Sequence, residues 1–236
     1  MRWTRAGALT LAVAATAFAQ NASQSASAQP APVAPAQAPR PGFVVVLDAA
    51  HGGSDTGAKL TNDLAEKTVT LGLSIRLRSS LQARGVSVVT TRETDASLLS
   101  LNRAETANHA QAAACILIHA TATGSGVHLY TSPVAPSGPA RPVSWQAAQG
   151  VYATQSLKLE SEIDSALAHA QIPVTLGRAS VQPMDNLACP AVAVELAPLV
   201  AGHVTQGKAV SDADYQKSVV DALAAGLESW RSDWKQ

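Results

Sequence analysis

Several things are scarce in this sequence, and each scarcity narrows the field. Lys+Arg and Asp+Glu number 17 each over 236 residues, so the bulk charge points to neither nucleic acid nor an anionic membrane surface as a partner. Cysteine occurs twice, at Cys115 and Cys189, and neither has neighbours at metal-ligand spacing. No apolar run reaches the roughly 20 residues that a helical bilayer crossing needs, which argues against a membrane-spanning enzyme. Internal repeats are absent, so a solenoid or array is excluded. No Cys follows the N-terminal apolar stretch, which leaves a lipid anchor there without support.

What is present begins with an address. Arg2 and Arg5 give a positive start, Ala6 to Thr16 is almost uncharged and apolar, and Ala17-Phe18-Ala19 has the small-x-small pattern of a cleavage site. Residues 1–19 are therefore predicted to be a signal peptide. Residues 20–41 are mostly Ala, Gln, Pro and Ser, too poor in bulky side chains to offset the entropy of ordering them, and read as a flexible tether. Residues 42–236 are long enough for one domain with its own core. Export places the two cysteines in an oxidising compartment. Each starts an apolar run, so neighbouring strands could bring them within bonding distance; two buried free thiols account for the pattern equally well.

Along the folded part, buried strands and amphipathic helices alternate. Phe43 to Asp48 is a continuous apolar run ending in the glycine-rich His51-Gly52-Gly53. Glu66 to Ala83 carries apolar residues near helical spacing and is closed by Arg84-Gly85. Val86 to Thr91, Ala114 to His119, Gly126 to Tyr130 and Pro190 to Leu196 read as further strands. Leu98 to Ala112, Val151 to Ala170 and Asp212 to Trp230 read as helices, and the four prolines of Ser132 to Pro142 mark a loop. This alternation predicts an α/β fold with a mostly parallel central sheet flanked by helices. Sites in such sheets lie at the carboxyl ends of the strands, where His51, His119 and Glu195 fall.

A hydrolytic zinc site needs three nitrogen or oxygen ligands and one open position. His51, Glu66 and His119 could supply them. Each also has an ordinary explanation: a histidine at a strand end is commonly structural, and Glu66 complements a helix dipole. Their spacing matches no local zinc motif. Asp48 or Asp55 could hold a ligand imidazole through its second nitrogen, and a turn-stabilising role for Asp55 is equally good.

The segment Asp48-Ala49-Ala50-His51-Gly52-Gly53-Ser54-Asp55-Thr56-Gly57-Ala58 resembles the opening of the zinc-dependent bacterial N-acetylmuramoyl-L-alanine amidases. The resemblance continues through Glu66-Lys67, Thr91-Arg92, Leu101-Asn102-Arg103 with Ala107-Asn108, Ile118-His119-Ala120 and Val194-Glu195-Leu196, in the family's order. It implies a phosphorylase/hydrolase-like α/β domain, Zn2+ held by His51, Glu66 and His119, and Glu195 as catalytic acid and base. It implies peptidoglycan as substrate, cut between N-acetylmuramic acid and L-alanine. The short tether, with no surface-anchoring signal after it, favours a periplasmic location over full export. Arg92 and Arg103 match family positions and are expected in internal salt bridges.

The chain departs from the family pattern around the second histidine, Leu117-Ile118-His119-Ala120-Thr121-Ala122, and after the glutamate, Leu196-Ala197-Pro198-Leu199-Val200. The same ligand set would serve a zinc peptidase acting on another wall bond, and the departures would suit a degenerate wall-binding domain. Relatives with occluding insertions are released by an activator protein; Val151 to Ala170 takes the place of an ordinary family helix, so an open site is expected. No dedicated wall-binding repeat is present.

Overall fold

The computed structural model describes residues 42–137, 144–200, 202 and 207–234. The expected signal peptide and tether lie outside the described residues. Six strands and four α-helices are described, in the order β1 (Val44–Ala49), α1 (Glu66–Ala83), β2 (Ser87–Thr90), α2 (Ser100–His109), β3 (Ala114–Ala120), β4 (Val127–Thr131), α3 (Gln149–His169), β5 (Val174–Arg178), β6 (Ala191–Leu196) and α4 (Ala213–Trp234).

One sheet holds all six strands in the order β2-β1-β3-β6-β4-β5. β1 pairs in parallel with β2 and β3, and β3 pairs in parallel with β6. β4 lies antiparallel to β6, with β5 parallel to β4. The predicted mostly parallel sheet is thus observed, with two strands reversed at one edge. β5 has no counterpart among the predicted strands. It is an edge strand, largely exposed and interrupted by Gly177, so it lacks the buried run or strict alternation by which a strand is read from sequence.

Alternation along the central strands sorts their side chains onto two faces. Val45, Leu47, Ile116, Ile118, Val192, Val194 and Leu129 share one core with Leu73, Leu77 and Leu81 of α1, Leu159, Ile163 and Leu167 of α3, and Val219, Leu223 and Leu227 of α4. The buried positions of α1, from Glu66 and Val69 through Leu73 and Leu77 to Leu81, recur at three- and four-residue steps, which is why this stretch forms a helix and why it lies flat on the sheet. Tyr215 and Trp230 of α4 bury their polar tips as well: the Tyr215 hydroxyl donates to the carbonyls of Gly126 and Ala197, and Trp230 Nε1 donates to Ala113 O.

The other face carries Val46, Cys115, Leu117, Ala191 and Ala193, covered by Ala104 and Ala107 of α2 and by Met184 and Leu187 from the segment before β6. Cys115 and Cys189 meet here in a disulfide with Cα atoms 6.1 Å apart, which decides between the paired and free readings. Toward the carboxyl end of this face a cavity opens, lined in part by Ser100 and Arg103 of α2 and by Gln182. Asp48, His119 and Glu195 follow the apolar residues of β1, β3 and β6 into that end.

Candidate metal centre and active site

β1 runs out at Ala49 and the chain turns sharply through the following residues. His51 adopts φ +60°, and Gly52, Gly53 and Gly57 also have positive φ. A non-glycine residue in the left-handed region is uncommon and is retained only where surrounding contacts hold it. Arg103 of α2 supplies such contacts: its guanidinium donates to Ala49 O at 2.7 Å and to His51 O at 2.6 Å, and pairs with buried Asp48 at 2.7 Å. Arg92 closes the other side, donating to the carbonyls of Ala49, Ala50, Lys67 and Thr94 and to Thr70 Oγ1. Arg103 thus makes the expected internal salt bridge. Arg92 makes none among the described residues; its partners there are neutral carbonyls and a hydroxyl, so it braces the loop through hydrogen bonds.

Three side chains converge at the carboxyl edge. His51, Glu66 and His119 each offer a ligand atom, and these atoms lie within 4.8 Å of one another. Glu66 sits on the first turn of α1, is buried, and holds both histidines: Oε2 is 3.0 Å from His51 Nε2 and Oε1 is 3.0 Å from His119 Nδ1. The backbone N–H groups of Ala58 and Ala120 donate to the same carboxylate. Burial works to raise the Glu66 pKa, but the His119 contact and these two donors outweigh it and hold the group below its ordinary value. Gly57 packs over the pair. A Cβ there would come 2.5 Å from His51 Cδ2 and 2.6 Å from Glu66 Oε2, so the position has room only for glycine.

Asp55 accepts from His51 Nδ1 at 2.8 Å and from the Gly57 N–H at 3.1 Å. The imidazole contact holds the Asp55 carboxyl below its ordinary range. An ionised carboxylate only accepts, so the contact with Asp55 places a hydrogen on Nδ1 and leaves Nε2 as the ring nitrogen that faces Glu66. In a neutral imidazole held through Nδ1–H the lone pair is on Nε2, the nitrogen that a metal would take. Zinc bonds of 2.0–2.1 Å in a tetrahedron imply ligand-to-ligand edges of roughly 3.3 Å, close to both Glu66 separations. His119 Nε2 is buried without a partner. The donor set and its spacing fit a divalent metal. Of the two aspartates expected beside an imidazole, Asp55 fills the position; Asp48 does not, being occupied by Arg103 and the Thr91 hydroxyl.

Glu195 stands one strand away. Its Cα pairs with His119 across β3–β6 and with His128 across β6–β4, so the three side chains form one row on one face. His128 Nδ1 lies 2.8 Å from Glu195 Oε2 and the Tyr130 hydroxyl approaches the same oxygen at 3.5 Å. Burial and the neighbouring carboxylate push the Tyr130 phenol above its ordinary pKa. Sequence reasoning did not single out His128 or Tyr130. Their alternation with Val127, Leu129 and Thr131 was visible, but which strand they would face was not. A cavity of about 330 Å³ lined by His51, Asp55, His119, Arg103, Ser100 and Gln182 opens beside the row. α3 packs with α4 against the opposite face, while Ser100 and Arg103 of α2 line the cavity.

Comparison with known proteins adds to this geometry. The family model described as N-acetylmuramoyl-L-alanine amidase matches residues 45–229. A germination-specific N-acetylmuramoyl-L-alanine amidase of Bacillus subtilis is 36% identical over 101 residues, which are 37% of this chain and 42% of that protein. The uncharacterized protein YqiI of the same organism is 29% identical over 212 residues, 85% of this chain and 90% of the relative. The chain matches less than half the length of the first relative and nearly all of the second. Among solved structures, the catalytic domain of the amidase CwlV from Bacillus (Paenibacillus) polymyxa superposes with a TM-score of 0.63 at 23% identity, over 80% of this chain and 98% of that one.

Proposed function

We propose a zinc-dependent peptidoglycan amidase, from the premise that this chain belongs to the N-acetylmuramoyl-L-alanine amidase family. The bond cut is the amide between N-acetylmuramic acid and L-alanine of the stem peptide. The observation that carries the reading is the convergence of His51, Glu66 and His119 within 4.8 Å at the edge of a cavity, one strand from Glu195.

In this reading His51, Glu66 and His119 hold the metal and Asp55 orients His51. Zinc so held supplies Lewis acidity, lowering the pKa of water toward 7 and polarising a carbonyl. Glu195 takes the proton from the attacking water at a carboxylate oxygen and returns it to the departing amine nitrogen, as general base and then general acid. Arg103 and Arg92 keep the β1 loop, and with it His51, in place. Val151 to Ala170 takes the place of an ordinary family helix, so the site in this reading is open and an activator protein that raised turnover many-fold would overturn that part of it.

Residues 1–19 act as a signal peptide, 20–41 as a tether and 42–236 as the catalytic domain in this proposal, with the enzyme working in the periplasm. A family built for the cell wall implies work outside the cytoplasm, and the Cys115–Cys189 disulfide suits an oxidising compartment. No described helix is long and apolar enough to cross a membrane.

The test combines metal analysis with digestion of purified sacculi, before and after chelation and zinc return, with Glu195→Gln alongside. About one zinc per chain, release of intact stem peptides, loss on chelation and recovery with zinc are expected, with Glu195→Gln keeping zinc and losing roughly 10²- to 10⁴-fold in rate. Trimmed stems in place of intact ones would make the protein a peptidase. Sedimentation with sacculi without release of peptide would make it a wall-binding domain, and a protein that binds no zinc would void the ligand assignment.

A further inference from the structure

We infer that His128 is a positioning residue for Glu195, fixing one carboxylate oxygen so that the other alone is presented to the reacting water. This rests on the reading of Glu195 as the general base. In the ionised form that a general base must have, the Glu195 carboxylate only accepts, and the 2.8 Å contact then places a hydrogen of His128 on Nδ1. That contact and the approach of the Tyr130 hydroxyl both fall on Oε2. Among the described residues, Oε1 receives neither. The two oxygens of Glu195 are therefore not equivalent, and the difference is imposed by β4.

The imidazole is itself held. Its ring stands edge-on to Tyr130, with centroids 6.4 Å apart, and its side chain is 13% exposed against 27% for Glu195. Gly124, at φ +87°, sits over the far edge of the ring: a Cβ there would lie 2.4 Å from Cε1 and 2.5 Å from Nε2. Glycine at 124 leaves the space that the ring occupies. The cross-strand register places His128 directly opposite Glu195, so the bond is built into the antiparallel β4–β6 ladder and does not depend on a mobile loop. A freely rotating carboxylate would spend part of its time with neither oxygen aimed at the water; holding one oxygen raises the fraction of productive geometry, and a small misplacement at such a group is costly in rate.

The experiment uses the zinc-loaded full chain and a soluble muramoyl-peptide. His128→Asn keeps an amide donor at the Nδ1 position, His128→Gln carries its amide to the Nε2 position, and His128→Leu removes the donor. The inference expects kcat to fall roughly 10- to 100-fold in His128→Leu and His128→Gln, with KM and zinc content little changed, and to be largely restored in His128→Asn. Because His128→Gln remains polar, the comparison with His128→Asn stands even if His128→Leu fails to fold. Nitrogen-15 imidazole spectra of the metal-free protein give a readout independent of turnover. A proton on His128 Nδ1, assigned by its absence in His128→Asn and displaced in Glu195→Ala, supports the inference. Wild-type kcat in both His128→Leu and His128→Gln, equal losses in His128→Asn and His128→Gln, or an unprotonated Nδ1 would overturn it. Glu195→Gln separates the two levels: if it stays active the general-base reading fails, whereas if it is inactive while His128→Gln keeps full kcat only the positioning role fails.

Discussion

On one face of the central sheet, Val45, Leu47, Ile116, Ile118, Val192 and Val194 meet three helices and none is more than 2% exposed. On the other face the alternate residues of the same strands begin as Cys115 and Ala191 and end as His119 and Glu195, beneath α2 and the segment before β6. The first face gains free energy at every layer, at roughly 25 cal/mol per Å² of apolar surface removed from water. The second gives that up toward the carboxyl end, where buried Asp48, Glu66, Arg92 and Arg103 need partners to offset their desolvation. Stability and chemistry are thus divided between the two sides of one sheet, and substitutions on each side are expected to fail in different ways.

The largest effect is expected from Arg103→Met on the site face. It strands Asp48 without its cation and removes the donors to Ala49 and His51, at a cost of about 3–5 kcal/mol. Urea unfolding should show the loss, and zinc affinity should fall with it because His51 is no longer braced. Breaking the disulfide on the same face with Cys115→Ala and Cys189→Ala opens a loop of 74 residues, which the chain-entropy picture values at about 4 kcal/mol. Zinc content and kcat of the folded fraction should not change, since neither sulfur touches the metal cluster.

On the sealed face, Leu77→Ala empties a site that is 1% exposed and should cost about 2–5 kcal/mol. Turnover per folded molecule should equal the parent's; a selective loss of kcat would blur the division between the faces. The smallest effect is expected at Glu160 of α3, whose carboxyl burial pushes up from 4.5 to about 7, opposed by Arg178 and reinforced by Asp164. The folded chain holds that proton more tightly than the unfolded one. Stability is therefore full below about pH 4.5 and falls as the pH rises toward 7, where the loss levels off. Glu160→Gln should leave melting unchanged at pH 4 and raise stability by about 3 kcal/mol at pH 8.

Local pattern carried much of this fold. The bounds of α1 coincide with those predicted, Glu66–Ala83, because a stripe of buried residues at three- and four-residue steps is written in the chain itself. The buried strands β1, β3 and β6 were legible as short apolar runs for the same reason, each within a residue of its observed limits. β5 was not, since an exposed edge strand carries neither an apolar run nor an alternation that burial would enforce. At the site, residue types and order suggested His51, Glu66, His119 and Glu195, and only the family resemblance joined them. Asp55 and Asp48 were interchangeable candidates until the turn through His51 put one beside the imidazole and the other against Arg103.

The sequence by itself determined which residues are buried, where helices and central strands run, and which side chains are capable of holding a metal or moving a proton, because these follow from local periodicity and side-chain chemistry. The tertiary structure alone decided that Cys115 meets Cys189, that Arg92 braces the carbonyls of the β1 loop, and that His128 faces Glu195. Those outcomes depend on strand order and register, which are set by how the four helices and the sheet pack as a whole and leave no mark on any single stretch of chain.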